Sequence, residues 1–425
     1  MINQIKKHLD LILNDMERSP AFYIWVSILL SMVAVAGYAL LLSLIYSLEI
    51  FEFSIHVIWV TMVSNYVFLV VSSTGLCIVT SLGHVFGMQR YELVAKRGVF
   101  LALITIIFGM ISIGAHLGHP ERAMVFNALT PNFYSAMWWM GTLYTFYIVF
   151  ISVEYWLLAR DELKKRAEQA EGVERTIFGY LALKKLDDSR LGAVLKDHKL
   201  LQAVGAAALV SGLSAHNTLG ALFGHIEARP LWYGSYYPVY FLLSASFCGF
   251  AWLLAVSIGT YKLKREEIPE DYMSLIFEMA QVLALLLSVG LLFTVYKMGF
   301  GLFTPIKVKP IMLFLKGPFS IAFWLFEIAI GTVLPIPILL YAVGRRNITG
   351  VLVASSMVLV GVYVMRYDFV VAAQIYPVIK NGLPSYLPTF MEVLFIGGVL
   401  GALFLTYTLG AIFLPLKEER HGHTA

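Results

Sequence analysis

Seven polar side chains interrupt the apolar stretches of this 425-residue chain: Asn65, His216, Asn217, Glu327, Arg366, Asp368 and Glu392. A charged group at the centre of a bilayer costs about 2.5–3.5 kcal/mol, so each is read first as functional. An imidazole and carboxylates exchange protons, while amides and a guanidinium orient polar groups. Together they suit proton-linked chemistry on something bound between helices.

His216 admits two readings. A lone buried histidine is ordinarily a hydrogen-bonded core residue. Yet Asn217 and Thr218 follow it, and small residues at 212, 220 and 224 allow close helix approach or room for a flat ligand such as a quinone. Haem would need two histidines at one depth; His116 and His216 meet that condition, but neither lies in a pattern suggesting a porphyrin slot. Arg366 and Asp368 are two apart and cannot face each other on a helix. Arg366 is therefore expected to pair with Glu327 or Glu392, either as a buried ion pair setting helix register or as part of a proton path. His84 and Glu154 lie near helix ends, where snorkelling accounts for them.

The elements that must position these groups follow from composition. Apolar residues make up 59% of the chain and charged residues 14%, against about 25% charged in a soluble domain; mean hydropathy is +0.77. Ten runs are long enough to span a bilayer: 23–47, 57–87, 98–118, 136–159, 199–224, 237–261, 274–298, 318–343, 350–373 and 389–415. The first is too long for a signal-peptide core and is read as retained. Cys77 and Cys248 lie inside apolar runs, which excludes a disulfide framework and a cysteine-ligated iron–sulfur cluster. No Walker loop, dinucleotide glycine motif or Cys-x-x-Cys is present, and no nucleic-acid partner is expected.

With the N-terminus inside, 23 Lys and Arg fall on inner segments and 8 on outer ones, so both termini are expected to be cytoplasmic. The polar residues then gather in the outer half. The fold expected is all-α, with about ten transmembrane helices. Residues 1–22 form a cytoplasmic amphipathic N-terminus and 23–56 an extra first helix. Residues 57–224, including a cytoplasmic loop at 160–198, form a four-helix bundle, and 225–373 form a second. Residues 374–425 supply an extra tenth helix and a tail. A weak internal repeat relates spans 2–5 to spans 6–9 and puts His216 and Arg366 in related positions. Two such halves with buried charges would also suit a secondary transporter or proton channel, and a purely structural membrane anchor is the third reading.

Several segments resemble one family. Gly118-His119-Pro120-Glu121-Arg122 followed by Leu129-Thr130-Pro131-Asn132 looks like the "GRPER…TPN" loop of the NrfD family of quinone-reactive membrane subunits. His216 to Phe223, Ala228-Arg229-Pro230-Leu231-Trp232, Phe323 to Pro335, Gly361 to Asp368 and Tyr386 to Glu392 resemble its later motifs, in order, over roughly 57–415. The ten-span branch is similar to the membrane subunits of hydrogenase-2, of alternative complex III and of a sulfite-reduction-associated complex. His119 stands where the family usually has Arg, and Asp368 where Asn is commoner.

The resemblance implies a multi-pass subunit of the cytoplasmic membrane within a respiratory oxidoreductase. It implies menaquinone or another quinone bound among the helices of the first bundle, with no haem or iron–sulfur cluster in this chain. An extracytoplasmic ferredoxin-like iron–sulfur subunit would dock outside, alongside further subunits. His216, Asn65, Asn217, Trp232, Arg229 and His119 are the quinone-site candidates. Glu327, Arg366, Asp368 and Glu392 are the proton-transfer candidates. Glu121, Arg122 and Asn132 are the docking candidates.

Overall fold

The computed structural model describes residues 20–46, 51, 57–119, 122–186, 189–195, 197–376, 386–414 and 416, and among these there is no strand. Ten long helices dominate: α1 (Pro20–Tyr46), α2 (Thr61–His84), α3 (Gln89–His116), α4 (Ala136–Gln169), α5 (His198–Gly224), α6 (Tyr236–Lys264), α7 (Glu270–Leu302), α8 (Ala322–Gly344), α9 (Ile348–Ile375) and α10 (Phe390–Phe413). Nine of them are long and apolar enough to cross a membrane. The tenth, α5, is also 27 residues long; Gln202, His216 and Asn217 lower its hydropathy. Polar side chains cap several starts. Ser135 accepts from Trp138 N, Asp197 from Lys199 N, Asn347 from Gly350 N and Thr389 from Glu392 N, each filling a first-turn donor.

Helices α2–α5 pack as a closed ring of four, and α6–α9 as a second. α2 and α6 join the rings, with α5 against α6 and α9 against α2. α10 lies outside against α3, and α1 packs on α10. Almost every residue of α2 is buried, whereas α1 is mostly exposed, as fits a central helix and a lipid-facing one. One end of the assembly carries the 117–135 and 225–235 segments and is called the loop end. The opposite, basic end carries the short helices Gly172–Leu181 and Arg190–Leu195, in the segment expected to be an inner, partly helical loop.

The rings meet backbone to backbone at Gly75 and Gly249. A Cβ on Gly75 would lie 1.9 Å from the Ala245 carbonyl oxygen, and one on Gly249 would lie 2.1 Å from Gly75 C. Neither backbone can yield without separating α2 from α6. Gly249→Leu is therefore expected to lower stability by about 3 kcal/mol, the upper end for overpacking, and to broaden the size-exclusion peak of the detergent-extracted protein. Gly259→Leu, ten residues along α6 where a Cβ meets nothing within 4 Å, should leave the peak unchanged. Equal behaviour of the two variants would contradict the packing account.

Candidate functional site

Two glycines draw α5 into its neighbours on either side of His216. A Cβ on Gly212 would sit 3.0 Å from the Tyr147 ring, and one on Gly220 2.8 Å from Pro238 Cα. Between them His216 is fully buried and points at α6, where its Nε2 lies 3.1 Å from the Phe241 carbonyl oxygen. A carbonyl only accepts, so Nε2 carries the proton, and Nδ1 is left as a buried acceptor with no partner. The Phe241 ring is 5.5 Å from the imidazole, and the Arg366 guanidinium lies over it at 4.5 Å. Arg366 also donates to Ser244 Oγ, which in turn donates to the Phe241 carbonyl. The last helix of each ring thus brings its polar residue to one residue of α6.

Further buried polar groups on α2, α4 and α9 lack partners. Asn65 donates through Nδ2 to Ser112 Oγ at 3.1 Å, but its Oδ1 is unpartnered. Ser64 Oγ, Tyr144 Oη and Arg366 Nε are buried and unpartnered as well. Tyr147 meets Gly212, so Tyr144, one turn along antiparallel α4, comes level with His216. A buried unsatisfied group costs about 1–3 kcal/mol. Each such group calls for a polar guest or a water.

Towards the loop end this region is closed by rings. Phe223, Trp232 and Phe369 pack edge to face or tilted at 4.6–6.1 Å, with Trp59 against Phe223 and Trp232. Trp232 is 2% exposed and donates to the Phe369 carbonyl. It is one of the buried rings of this layer. Arg229 donates to the Gln374 and Tyr376 carbonyls, holding the C-terminus of α9 where a cation favours the helix dipole. Gln374 in turn bonds Ile58 N, Trp59 N and the Trp59 carbonyl.

A second cluster lies on the other side of Arg366. Glu327, Asp368, Arg366 and Lys297 line a cavity of about 20 Å³ with Tyr236, Tyr237 and Tyr240, room for about one water. Glu327 lies in a π-helical stretch, Ala322–Val333, and Asp368 begins another, Asp368–Ala372. Such wide turns re-aim side chains and recur at functional sites. Lys297, with Nζ 4.8 Å from the Tyr237 ring centroid, is the base that sequence reasoning missed. The apolar run ends at 298 on composition, but α7 continues to Leu302. The expected pairing of Arg366 with Glu327 or Glu392 is not observed: its partners are Ser244 and the Phe241 ring. Glu392 is fully buried at the start of α10 and accepts from Tyr386 Oη, which also accepts from Thr61 N. Burial, reinforced by Glu392, holds the Tyr386 phenol above its ordinary value, so it keeps the proton it donates. Glu392 therefore ties α10 to α2 and stands apart from the Glu327–Asp368 pair.

The remaining candidates scatter. Asn217 is exposed; it lines a groove of about 480 Å³ between α2, α5 and α6, with Leu213, Leu242 and Ser246. His119, Arg122 and Asn132 are exposed at the loop end beside bare Leu129, Phe133 and Tyr134, and Glu121 lies outside the described residues. His84 and Glu154 do not snorkel. They are 2% and 0% exposed and pair at 2.7 Å inside the first ring. Tyr144, Tyr147, Ile151 and Glu154, spaced three or four residues apart, form one inward face of α4.

Residues 49–378 match the polysulphide reductase, NrfD family. The chain belongs to that family and is a multi-pass membrane protein. It is 26% identical over 394 residues to a selenate reductase subunit of Mesobacillus selenatarsenatis, covering 86% of this chain and 88% of that one. It is 23% identical over 365 residues, 82% of each chain, to an Hdr-like menaquinol oxidoreductase integral membrane subunit of Archaeoglobus fulgidus. A putative dimethyl sulfoxide reductase membrane subunit of Halobacterium salinarum is 28% identical over 200 residues, 47% of this chain and 43% of that one.

Proposed function

We propose that this chain is the quinone-reactive membrane subunit of a multisubunit oxidoreductase, with menaquinone or a related quinone held between the two rings beside His216. The observation that carries this reading is the buried, unpartnered His216 Nδ1 and Arg366 Nε on either side of Phe241, with further unpartnered atoms, Asn65 Oδ1 and Tyr144 Oη, on α2 and α4. A quinone supplies two-electron chemistry with two protons, and its two oxygens need donors in one state and acceptors in the other. Tyr144 and Arg366 can donate. His216 Nδ1 and Asn65 Oδ1 can accept, and the imidazole can hold a proton. The groove lined by Asn217 and Leu242, next in sequence to His216 and Phe241, offers an apolar bed for an isoprenoid tail. Relatives bearing reductase and menaquinol oxidoreductase names support the same reading.

The excess of Lys and Arg at the basic end supports a cytoplasmic position for that end and for both termini. The loop end then faces out. His119, Arg122, Asn132, Leu129, Phe133 and Tyr134 form the surface for an extracytoplasmic ferredoxin-like iron–sulfur partner, an exposed mixed patch of the kind that marks interfaces.

Glu327 and Asp368, which line one cavity with the permanently charged Arg366, relay protons towards the quinone. Glu327→Gln or Asp368→Asn is expected to slow quinone turnover roughly tenfold, below the hundredfold typical of groups acting directly on the reacting atoms. The accompanying pH change in proteoliposomes should fall in step. Wild-type turnover and pH change in both variants would exclude the relay.

Isolation of the intact complex tests the assignment as a whole. Co-purifying quinone and an iron-containing partner protein are expected. A protein that binds or moves a solute and carries no quinone would instead be a transporter.

A further inference from the structure

Helices α2 and α4 both run from the loop end to the basic end, and each turns a polar stripe into the first ring. On α2, Ser73, Cys77, Ser81 and His84 follow one another at spacings of four, four and three, so they share a face. All four are buried. On α4 the stripe is Tyr144, Tyr147, Ile151 and Glu154, also buried. We infer that the two stripes form a proton path from the basic face to the quinone, entered at His84 and Glu154. The inference rests on the quinone reading above and adds to it a route separate from Glu327 and Asp368.

The stripes touch along their length. The Tyr147 and Ser73 hydroxyls lie 2.9 Å apart. Where Ile151 interrupts the α4 stripe, Cys77 fills in from α2, facing Tyr147 and Ser81. Glu154 acts electrostatically on both Cys77 and Tyr147 and lies 2.7 Å from His84. At the other end Tyr144, one turn from Tyr147, is close enough to feel the charge of Arg366. Ser81 Oγ, His84 Nδ1, Glu154 Oε2 and Tyr144 Oη are buried without a hydrogen-bond partner, so each calls for a water. Hydroxyls and waters both donate and accept, and a file of them passes a proton by turning.

The entry is one turn from the surface. Phe86 and Gln202 are exposed, and Gln202 donates to the Val85 carbonyl beside His84. α5 brings only backbone to this point: a Cβ on Gly205 would lie 2.7 Å from His84 Nε2. A pair that merely fixed helix register would be complete with His84 and Glu154. It would not need hydroxyl and thiol groups on the turns that lead from it to Tyr144. Each quinone reduced takes two electrons from the iron–sulfur partner and two protons, one by this path and one by Glu327 and Asp368. Oxidation runs the same transfers backwards.

The test uses the intact complex in oriented proteoliposomes, with a pH-sensitive dye on the side of the basic end, during quinone turnover. One proton per quinone is expected to cross the basic face. Glu154→Gln and Tyr147→Phe should each slow turnover roughly tenfold and abolish that pH signal. Both should keep the wild-type melting temperature and the labelling of His216 by a photoreactive quinone. Glu154→Asp should restore most of the signal. If Glu154→Gln does not fold, Tyr147→Phe decides, because it keeps the ring against Gly212. A wild-type pH signal in Tyr147→Phe overturns the path and leaves the quinone reading intact. Absence of competable label near His216 in the wild type overturns both.

Discussion

His216→Ala is expected to lower quinone-linked electron transfer by two to three orders of magnitude, in the range of about 10²–10⁴ for a group that moves protons at the reacting atoms. The fold should survive. The imidazole makes one hydrogen bond, to the Phe241 carbonyl, worth about 1 kcal/mol, and Ser244 still donates to that carbonyl. His216→Gln keeps a donor for Phe241 but no titratable acceptor. It should melt close to wild type and remain slow. Steady-state quinone turnover beside a thermal melt separates the two effects; full activity in the glutamine variant would remove His216 from the chemistry.

Arg366→Leu should be as damaging by a different route. The guanidinium covers Phe241, bonds Ser244 and lines the cavity that holds Glu327 and Asp368. Its loss leaves Lys297 as the remaining cation among the residues lining that cavity, opposite two carboxylates. Removing one partner from a buried charged network costs about 3–5 kcal/mol. Both stability and turnover should fall, turnover by about a hundredfold or more. Arg366→Lys restores the charge but not the planar stack or the fork of donors. It should recover stability in part and turnover less. A lysine variant with wild-type turnover would reduce Arg366 to a point charge.

The spans are legible in the sequence because run length is a property read along one dimension, and the weak repeat points to two rings. The meeting of His216 with Arg366 is half legible: the weak repeat puts them in related positions, but nothing marks Phe241 as the face between them. The partners of Arg366 are hidden for a physical reason. Wheel arguments assume 3.6 residues per turn, and both Glu327 and Asp368 sit in wider turns that change where they point. Lys297 reads as an outer residue because a polar side chain near the end of an apolar run looks like loop. Read singly, His84 and Glu154 look like snorkelling side chains. The inward spacing of Tyr144, Tyr147, Ile151 and Glu154 is the available signal that α4 buries a polar face. Arg229 and Trp232 follow an outer-loop motif, yet each is committed to backbone carbonyls at the end of α9.

The central claim is that the quinone ring sits between the two rings of helices at His216. The direct measurement is photo-crosslinking of the intact complex with a quinone carrying a photoreactive group on its head, followed by peptide mapping. Label is expected on α5 and α6 around His216 and Phe241, and on α2 or α4 near Asn65 and Tyr144, with loss of label when unlabelled quinone competes. Competable label confined to α7–α10, or to the basic end, would contradict it.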